Sequence, residues 1–375
     1  MPGLSRIVVG LVLATALLAS VTAAGADDAL APSDDVLTRS RGHLHFPGSR
    51  RERLNIQGVV EAEILRPVLE AFHQRFPQIT LNYRDASLGP RPTPDRIPPN
   101  VDLLMSSAMA QQYRLANAGL ARPLGDGAIN PDWPQDARWR NELIGLTHES
   151  LVMVYRRELA DIAPPPADHA GLLALLTQQR EALRGRVVTY NPARSPTGFM
   201  AVAQDVARSQ EAWALFDAMG DTDTRLQDTT ADMLDGLIKG RYLIGYNLIG
   251  SYARRVVREH PELALQVPTD YALALQRLAL IPASAPHPET ARRFLRFITS
   301  SEGQQIMTTQ TPLGSPLLIR RASAEHDESL APIALTPGLL ALIDPLKREA
   351  VLDRWQTIFG RHGAFPPQAV KGDVE

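Results

Sequence analysis

Apolar positions recur along this chain in two rhythms. Ile64, Leu65, Val68, Leu69, Phe72 and Phe76 fall on one face of a helix over about 61–76. Pro67 inside it suggests a late start or an early kink. Leu54-Asn55-Ile56 reads as a short strand before that helix, followed by a loop at Gln57-Gly58-Val59-Val60. Ile79, Leu81 and Tyr83 alternate as a second strand after it. Residues 86–100 hold five prolines and read as irregular. Val101 to Met105 reads as a buried strand, and Ser106-Ser107 stands where it turns into a helix ending near Gly119. Strand, helix, strand, helix predicts a parallel sheet covered by helices.

The middle of the chain repeats this grammar. His148 to Tyr155 reads as extended, and Asp168 is a helix cap after a Pro-rich turn. Helix 169–183 and strand 186–190 lead into the loop 191–198 and another helix. A short strand at 225–227 precedes a helix capped by Thr229 or Thr230 and ending at Gly240. Tyr242 to Tyr246 is a strand, and Asn247-Leu248-Ile249-Gly250-Ser251 opens a helix through His260. Tyr271 to Ile281 is extended, with helices expected at 288–299, 301–309, 336–344 and 345–360. No repeat of fixed short period interrupts this order.

The N-terminus has a different pattern. Arg6 precedes an apolar run from Ile7 to Ala19, and Ala24-Gly25-Ala26 resembles a cleavage site. Residues 1–26 therefore read as a secretory signal, giving an exported, periplasmic chain. The run is short for a membrane span, although an uncleaved anchor is the competing reading. Residues 27–50 read as a polar extension, in which His43 and His45 alternate as part of an edge strand or a mobile arm rather than as metal ligands.

Composition narrows the chemistry. A length of 375 residues suggests two lobes. With 39 basic and 41 acidic residues there is no general basic field for nucleic acid. All basic residues except Lys239, Lys347 and Lys371 are arginine, whose planar fork suits carboxylates and phosphates. A GC-rich genome would give the same bias. The absence of cysteine excludes disulfides, thiolate metal sites and thiol nucleophiles.

Four loops carry chemistry suited to an anion at the carboxyl end of a sheet, where helix amides and the dipole converge. They are Gly58-Val59-Val60, Ser106-Ser107, Ser195-Pro196-Thr197-Gly198 with Arg194 beside it, and Asn247 to Ser251. Singly, a serine before a helix is usually only a cap. Motifs of the common hydrolases, P-loop enzymes and dinucleotide binders are missing. His148 and Glu149 are neighbours on a strand and point to opposite faces, so they form no ready dyad. Met105, Met109 and Tyr113 read as core.

Several strings resemble the type-2 periplasmic solute-binding proteins of ABC importers, in particular the group with the ferric-iron binders and the phosphoglycerate-transport regulatory protein. They are LLMSSAMAQ at Leu103–Gln111, RSPTGF at Arg194–Phe199, GRYLIGYNLIGSYA at Gly240–Ala253, IPASAPHPETA at Ile281–Ala291, and Ser301-Glu302-Gly303-Gln304. Thr336 to Trp355 is similar to the phosphoglycerate-type branch. The resemblance spans about residues 53–360.

It implies an α/β fold of two lobes, each a mostly parallel sheet flanked by helices, joined by two hinge strands near 148–156 and 267–273. Lobe one would be 51–150 with 271–320, lobe two 151–270, and 321–375 would supply C-terminal helices packed on lobe one. Function is then expected to be capture of a small anionic organic solute, phosphorylated or carboxylated, in the interlobe cleft. Delivery would be to an inner-membrane ABC permease, with presentation to a sensor kinase or ferric-iron binding as alternatives. No catalysis, cofactor, metal or nucleic-acid partner is expected, and the chain is expected to be a monomer.

Expected ligand contacts are Gly58, Val59, Ser106, Ser107, His148, Arg194, Ser195, Thr197, Gly198, Asn247, Ser251 and Tyr271. His148 and Tyr271 are included for their place near the hinge strands, with sheet packing as the plain alternative. Two departures from the resemblance stand out. Gly250-Ser251 occupies the turn where ferric-iron binders carry adjacent tyrosines, which makes room for an organic ligand. The Pro-rich stretch 86–100 replaces a helix usual in relatives.

Overall fold

A computed structural model describes residues 42–86, 96–317 and 330–360. The expected signal at 1–26 and most of the Pro-rich stretch fall outside these residues.

Strands β1 (His43–Phe46), β2 (Arg53–Gly58), β3 (Thr80–Asp85) and β4 (Leu103–Ser106) form one half of a continuous sheet. β2 lies between β3 and β4, parallel to both, and β1 runs antiparallel to β3 at the edge. β1 puts part of the expected 27–50 extension into the sheet: His45 Nδ1 lies 2.7 Å from Asn82 Oδ1. Helix α1 (Ala62–Arg75) covers this half. It buries Ile64, Leu65, Val68, Leu69 and Phe72, each contributing roughly 1.5–3 kcal/mol. Pro67 is accommodated inside the helix. Helix α2 (Met109–Asn117) follows β4.

Short strands β5 (Ala121–Arg122) and β6 (Arg138–Trp139) lead to β7 (Leu143–Arg156), longer than the sequence pattern suggests. The second half of the sheet then builds up from α3 (His169–Gln178), β8 (Val187–Tyr190), α4 (Pro196–Arg208), α5 (Ala212–Asp221), β9 (Arg225–Gln227), α6 (Thr230–Ile238) and β10 (Ile244–Ile249). β10, β8 and β9 are mutually parallel. Caps mark helix starts as the sequence suggests: Asp168 accepts from Gly171 N and Thr229 from Asp232 N. Helix α7 (Gly250–Glu259) leads to β11 (Leu263–Gln266), and the chain returns to the first half as β12 (Ala272–Pro282).

The strand order is β1-β3-β2-β4-β12-β7-β10-β8-β9. β7 joins the halves. Its residues 144–150 pair with β12, and its residues 151–156 pair with β10 and β11. The 267–271 segment makes the second crossing. This is the two-lobed type-2 binding-protein architecture, with α1 and α2 on the first lobe and α3 to α7 on the second.

Helices α8 (Pro288–Ile298) and α9 (Ser301–Gln310) return to the first lobe, where Phe294 and Phe297 meet Phe72 at 5.1 and 5.6 Å between ring centroids. β13 (Leu330–Pro332) pairs with β12. The short α10 (Gly338–Ala341) packs through Leu339 into the cluster holding Met109 and Tyr113. Helix α11 (Pro345–Phe359) departs from the expectation that 321–375 packs on lobe one. Its buried face of Trp355, Ile358 and Phe359 needs an apolar partner, and Leu215, Phe216 and Met219 of α5 supply it in the second lobe. Gly220 admits the helix: a Cβ there would lie 2.5 Å from Ile358 Cγ2.

Candidate functional site

The four bends come together in two pairs along the seam between the lobes. One pair joins the end of β2 to the start of α7. Gly58 closes β2 where only glycine fits, since a Cβ would lie 2.4 Å from the Tyr83 hydroxyl. That hydroxyl donates to Val60 O at 2.6 Å and fixes the turn. The Val59 carbonyl accepts from Arg277 Nη1 at 3.1 Å. Arg277 on β12 also grips Glu149 on β7: Nε lies 2.6 Å from Oε1, and Nη2 donates to Oε2 at 3.2 Å. Ser251, at the opening of α7, donates its hydroxyl to Glu149 Oε2. Both lobes and a hinge strand thus converge on one ion pair.

Burial opposes charge on Arg277, yet the adjacent carboxylate outweighs it and holds the guanidinium pKa above its ordinary value. Tyr252 packs against the apolar clusters of both lobes, with Arg277 5.9 Å above its ring. Burial pushes its hydroxyl pKa up, with Arg277 opposing. One turn along α7, Arg254 donates to Ser150 Oγ at 3.0 Å. Among the described residues no carboxylate lies within ion-pair distance of Arg254. Burial pulls its pKa down and Glu149 partly offsets this, although the residue still reaches solvent. Arg255, next in sequence, faces Glu61 across the seam at 3.8 Å.

The other pair joins the starts of α2 and α4. Ser106 Oγ accepts from Ala108 N at 3.1 Å, and Ser195 Oγ accepts from Gly198 N at 3.1 Å. Both hydroxyls therefore serve local turns. The Ser107 and Thr197 hydroxyls have no hydrogen-bond partner among the described residues. Between these starts lies a cavity of about 50 Å³, mainly apolar, lined by Ala108, Met109, Pro196 and Phe199 and walled by Leu342 and Ile343.

The remaining candidates are placed elsewhere. Arg194 pairs with Asp228 at 2.6 Å with its side chain 71% exposed, outside either convergence. Asn247 takes a left-handed conformation, φ 62°, in a bulge of β10. Its Nδ2 donates to Asp205 Oδ2 at 2.8 Å. Tyr271 donates to Asp205 Oδ1 at 3.0 Å, and Tyr246 to Oδ2 at 3.0 Å. His169 stacks on Tyr271 at 4.1 Å and reaches Asp270 at 2.9 Å. Burial raises the Asp205 pKa, while His169 and the three donors oppose the rise. These contacts tie the second crossing to the second lobe. His148 is buried opposite Gln276, and both ring nitrogens are unpartnered among the described residues. Burial lowers its pKa, with Asp136 opposing.

Sequence reasoning passed over Glu149, Asp205, Arg254 and Arg277. Arg277 carried a signal, being the lone charge in the strand ALALQRLALIP. Asp205 also stood out as an acid on the buried face of α4.

The sequence profile of the bacterial extracellular solute-binding protein family matches residues 94–331. No curated protein matches the sequence. Among solved structures, the substrate-binding protein of an ABC transporter from Agrobacterium tumefaciens is 28% identical, with a TM-score of 0.74 over 84% of this chain and 98% of that one. Iron-bound HitA from Pseudomonas aeruginosa shares the fold at 19% identity and TM-score 0.59, over 82% and 99%. AfuA from Actinobacillus pleuropneumoniae, with fructose-6-phosphate bound, shares it at 14% identity and TM-score 0.61, over 83% and 99%. The profile match over more than half its length, on this two-lobed frame, makes the chain a member of the bacterial extracellular solute-binding protein family.

Proposed function

We propose that this chain captures a small anionic organic solute, phosphorylated or carboxylated, in the seam between its lobes, and delivers it to the permease of an ABC importer. The observation that carries this reading is Arg254. It is a guanidinium at the seam with no acid partner among the described residues, one turn from Ser251 and beside a Glu149–Arg277 pair whose charges cancel. Local charge is therefore positive by one arginine, and a planar fork with free donors suits a phosphate or carboxylate.

We place the hinge at 148–156 and 267–273, with lobe one at 51–150 and 271–320 and lobe two at 151–270. The change of pairing partner along β7 near Ser150 and Leu151 supports this division. Rotation there would close the lobes over the solute, exclude water and strengthen each polar contact.

Ferric iron fits less well. The first turn of α7 carries Gly250 and Ser251, and burial raises the hydroxyl pKa of both flanking tyrosines, Tyr246 and Tyr252, which disfavours phenolate. The fructose-6-phosphate bound to AfuA, which shares the fold, supports a phosphorylated solute. A thermal-shift panel of phosphosugars, phosphoglycerates, small carboxylates and ferric complexes tests the reading, since a ligand of the folded form raises melting temperature with concentration. A concentration-dependent rise with an organic anion is expected. A rise with iron alone would reverse the choice of ligand.

A further inference from the structure

The C-terminal segment touches both lobes. Leu339 of α10 is buried with Met109 and Tyr113 of the first lobe. From Arg348 onward, α11 is in contact with the second lobe. Trp355 meets Phe216 at 5.1 Å between ring centroids, and Arg354 lies 4.1 Å above the Trp213 ring. Gly220 brings Ile358 close against α5. Arg348 reaches back to the start of α4, 5.2 Å above the Phe199 ring and 3.4 Å from Ala193 O. Between these anchors, Leu342 and Ile343 wall the cavity between the starts of α2 and α4. Asp344 caps α11 through Lys347 N at 3.1 Å and fixes where the helix takes over from the linker.

We propose that residues 338–359 form a strap across the seam, which limits how far the lobes part and so sets the opening of the solute site; the regulatory part of this statement rests on the solute being bound at that seam. The physical reason is connectivity. β7 and the 267–271 crossing allow the lobes to rotate, but a third link anchored by buried side chains on each side must slacken or detach before they separate widely. Exposing the aromatic face of α11 would cost its burial, so bending at Leu342–Asp344 is the easier route. Opening is therefore limited by the length of that short linker.

The test uses the full chain, which has no cysteine of its own. Gln74→Cys on α1 and Ala231→Cys on α6, both exposed, carry a fluorophore pair across the seam. An insertion of about six Gly/Ser residues between Ile343 and Asp344 slackens the strap and keeps both anchors. The same insertion between Asp126 and Gly127, in an exposed loop, is the control. Without any solute, the slackened protein is expected to show a longer label separation than the parent and the control. An unchanged or shorter separation overturns the proposal. Should the insertion prevent folding, Leu339→Ala loosens the first-lobe anchor at constant chain length and is read the same way. The separation is measured without ligand, so a failed solute panel leaves it standing, and an unchanged separation leaves the solute reading standing.

Discussion

Arg277 and Glu149 meet diagonally across adjacent antiparallel strands, Arg277 in register with Thr147 and Glu149 with Leu275; their side chains are only 2% and 3% exposed, and Nε sits 2.6 Å from Oε1. Such a pair is held by its geometry: either charge alone in that environment would be left without compensation. Arg277→Met and Glu149→Gln are each expected to cost about 3–5 kcal/mol. The double variant should recover part of the loss. Urea melts of the four proteins, combined as a double-mutant cycle, check this; additive losses would mean the two side chains act independently.

Arg254 is expected to behave differently, because among the described residues its side chain hydrogen-bonds to a single hydroxyl and to no carboxylate. Arg254→Ala should leave the melting temperature nearly unchanged and weaken binding of an organic anion by about tenfold or more, the scale of one charge-assisted hydrogen bond. Calorimetric titration with the anion that gives the largest thermal shift measures this. Equal affinity in parent and variant would remove Arg254 from the site.

His148 gives the protein a pH dependence whose sign follows from its burial. The neutral ring is favoured in the fold, so its pKa lies below the unfolded value of 6.5. Below that value the unfolded chain takes up a proton that the folded chain resists. Stability is therefore lost as pH falls from about 6.5 towards the folded pKa, at about 1.4 kcal/mol per unit of separation. Melting temperatures at pH 7.5 and 5.5 should differ less in His148→Gln than in the parent. A parallel decline in both would assign the effect to other groups.

Tyr271 tests the fastening of the second crossing. Removing its hydroxyl in Tyr271→Phe leaves Asp205 with one donor fewer in a buried setting, at a cost of about 1–3 kcal/mol. Chemical denaturation reads the cost, and a change within error would show that Tyr246 and Asn247 suffice.

Much of the frame was legible because period and punctuation agree. The apolar face of α1 and the caps Asp168 and Thr229 stand where the pattern puts them. In β7, whose residues 148–155 read as extended, the burial of the polar run was not legible. Thr147-His148-Glu149-Ser150 is polar, yet all four are buried. Thr147, Glu149 and Ser150 find partners on other elements or on each other, a fact of tertiary pairing that no local period carries. The placement of α11 was hidden for a similar reason, since its apolar face suits either lobe until Gly220 and Phe216 supply the matching surface. At the site, bends were visible as Ser- and Gly-rich turns, but the sequence could not tell which hydroxyls cap a helix. Ser106, Ser195 and Asn247 serve the fold, whereas the arginines that set the local charge lie one turn or one strand away.

A crystal structure of the chain with the organic anion that stabilises it most would place the solute directly. The anionic group should lie between the Val59 turn and the first turn of α7, within hydrogen-bond distance of Arg254. A solute seated on an outer face, or a ferric ion held at the seam in its place, would contradict the account.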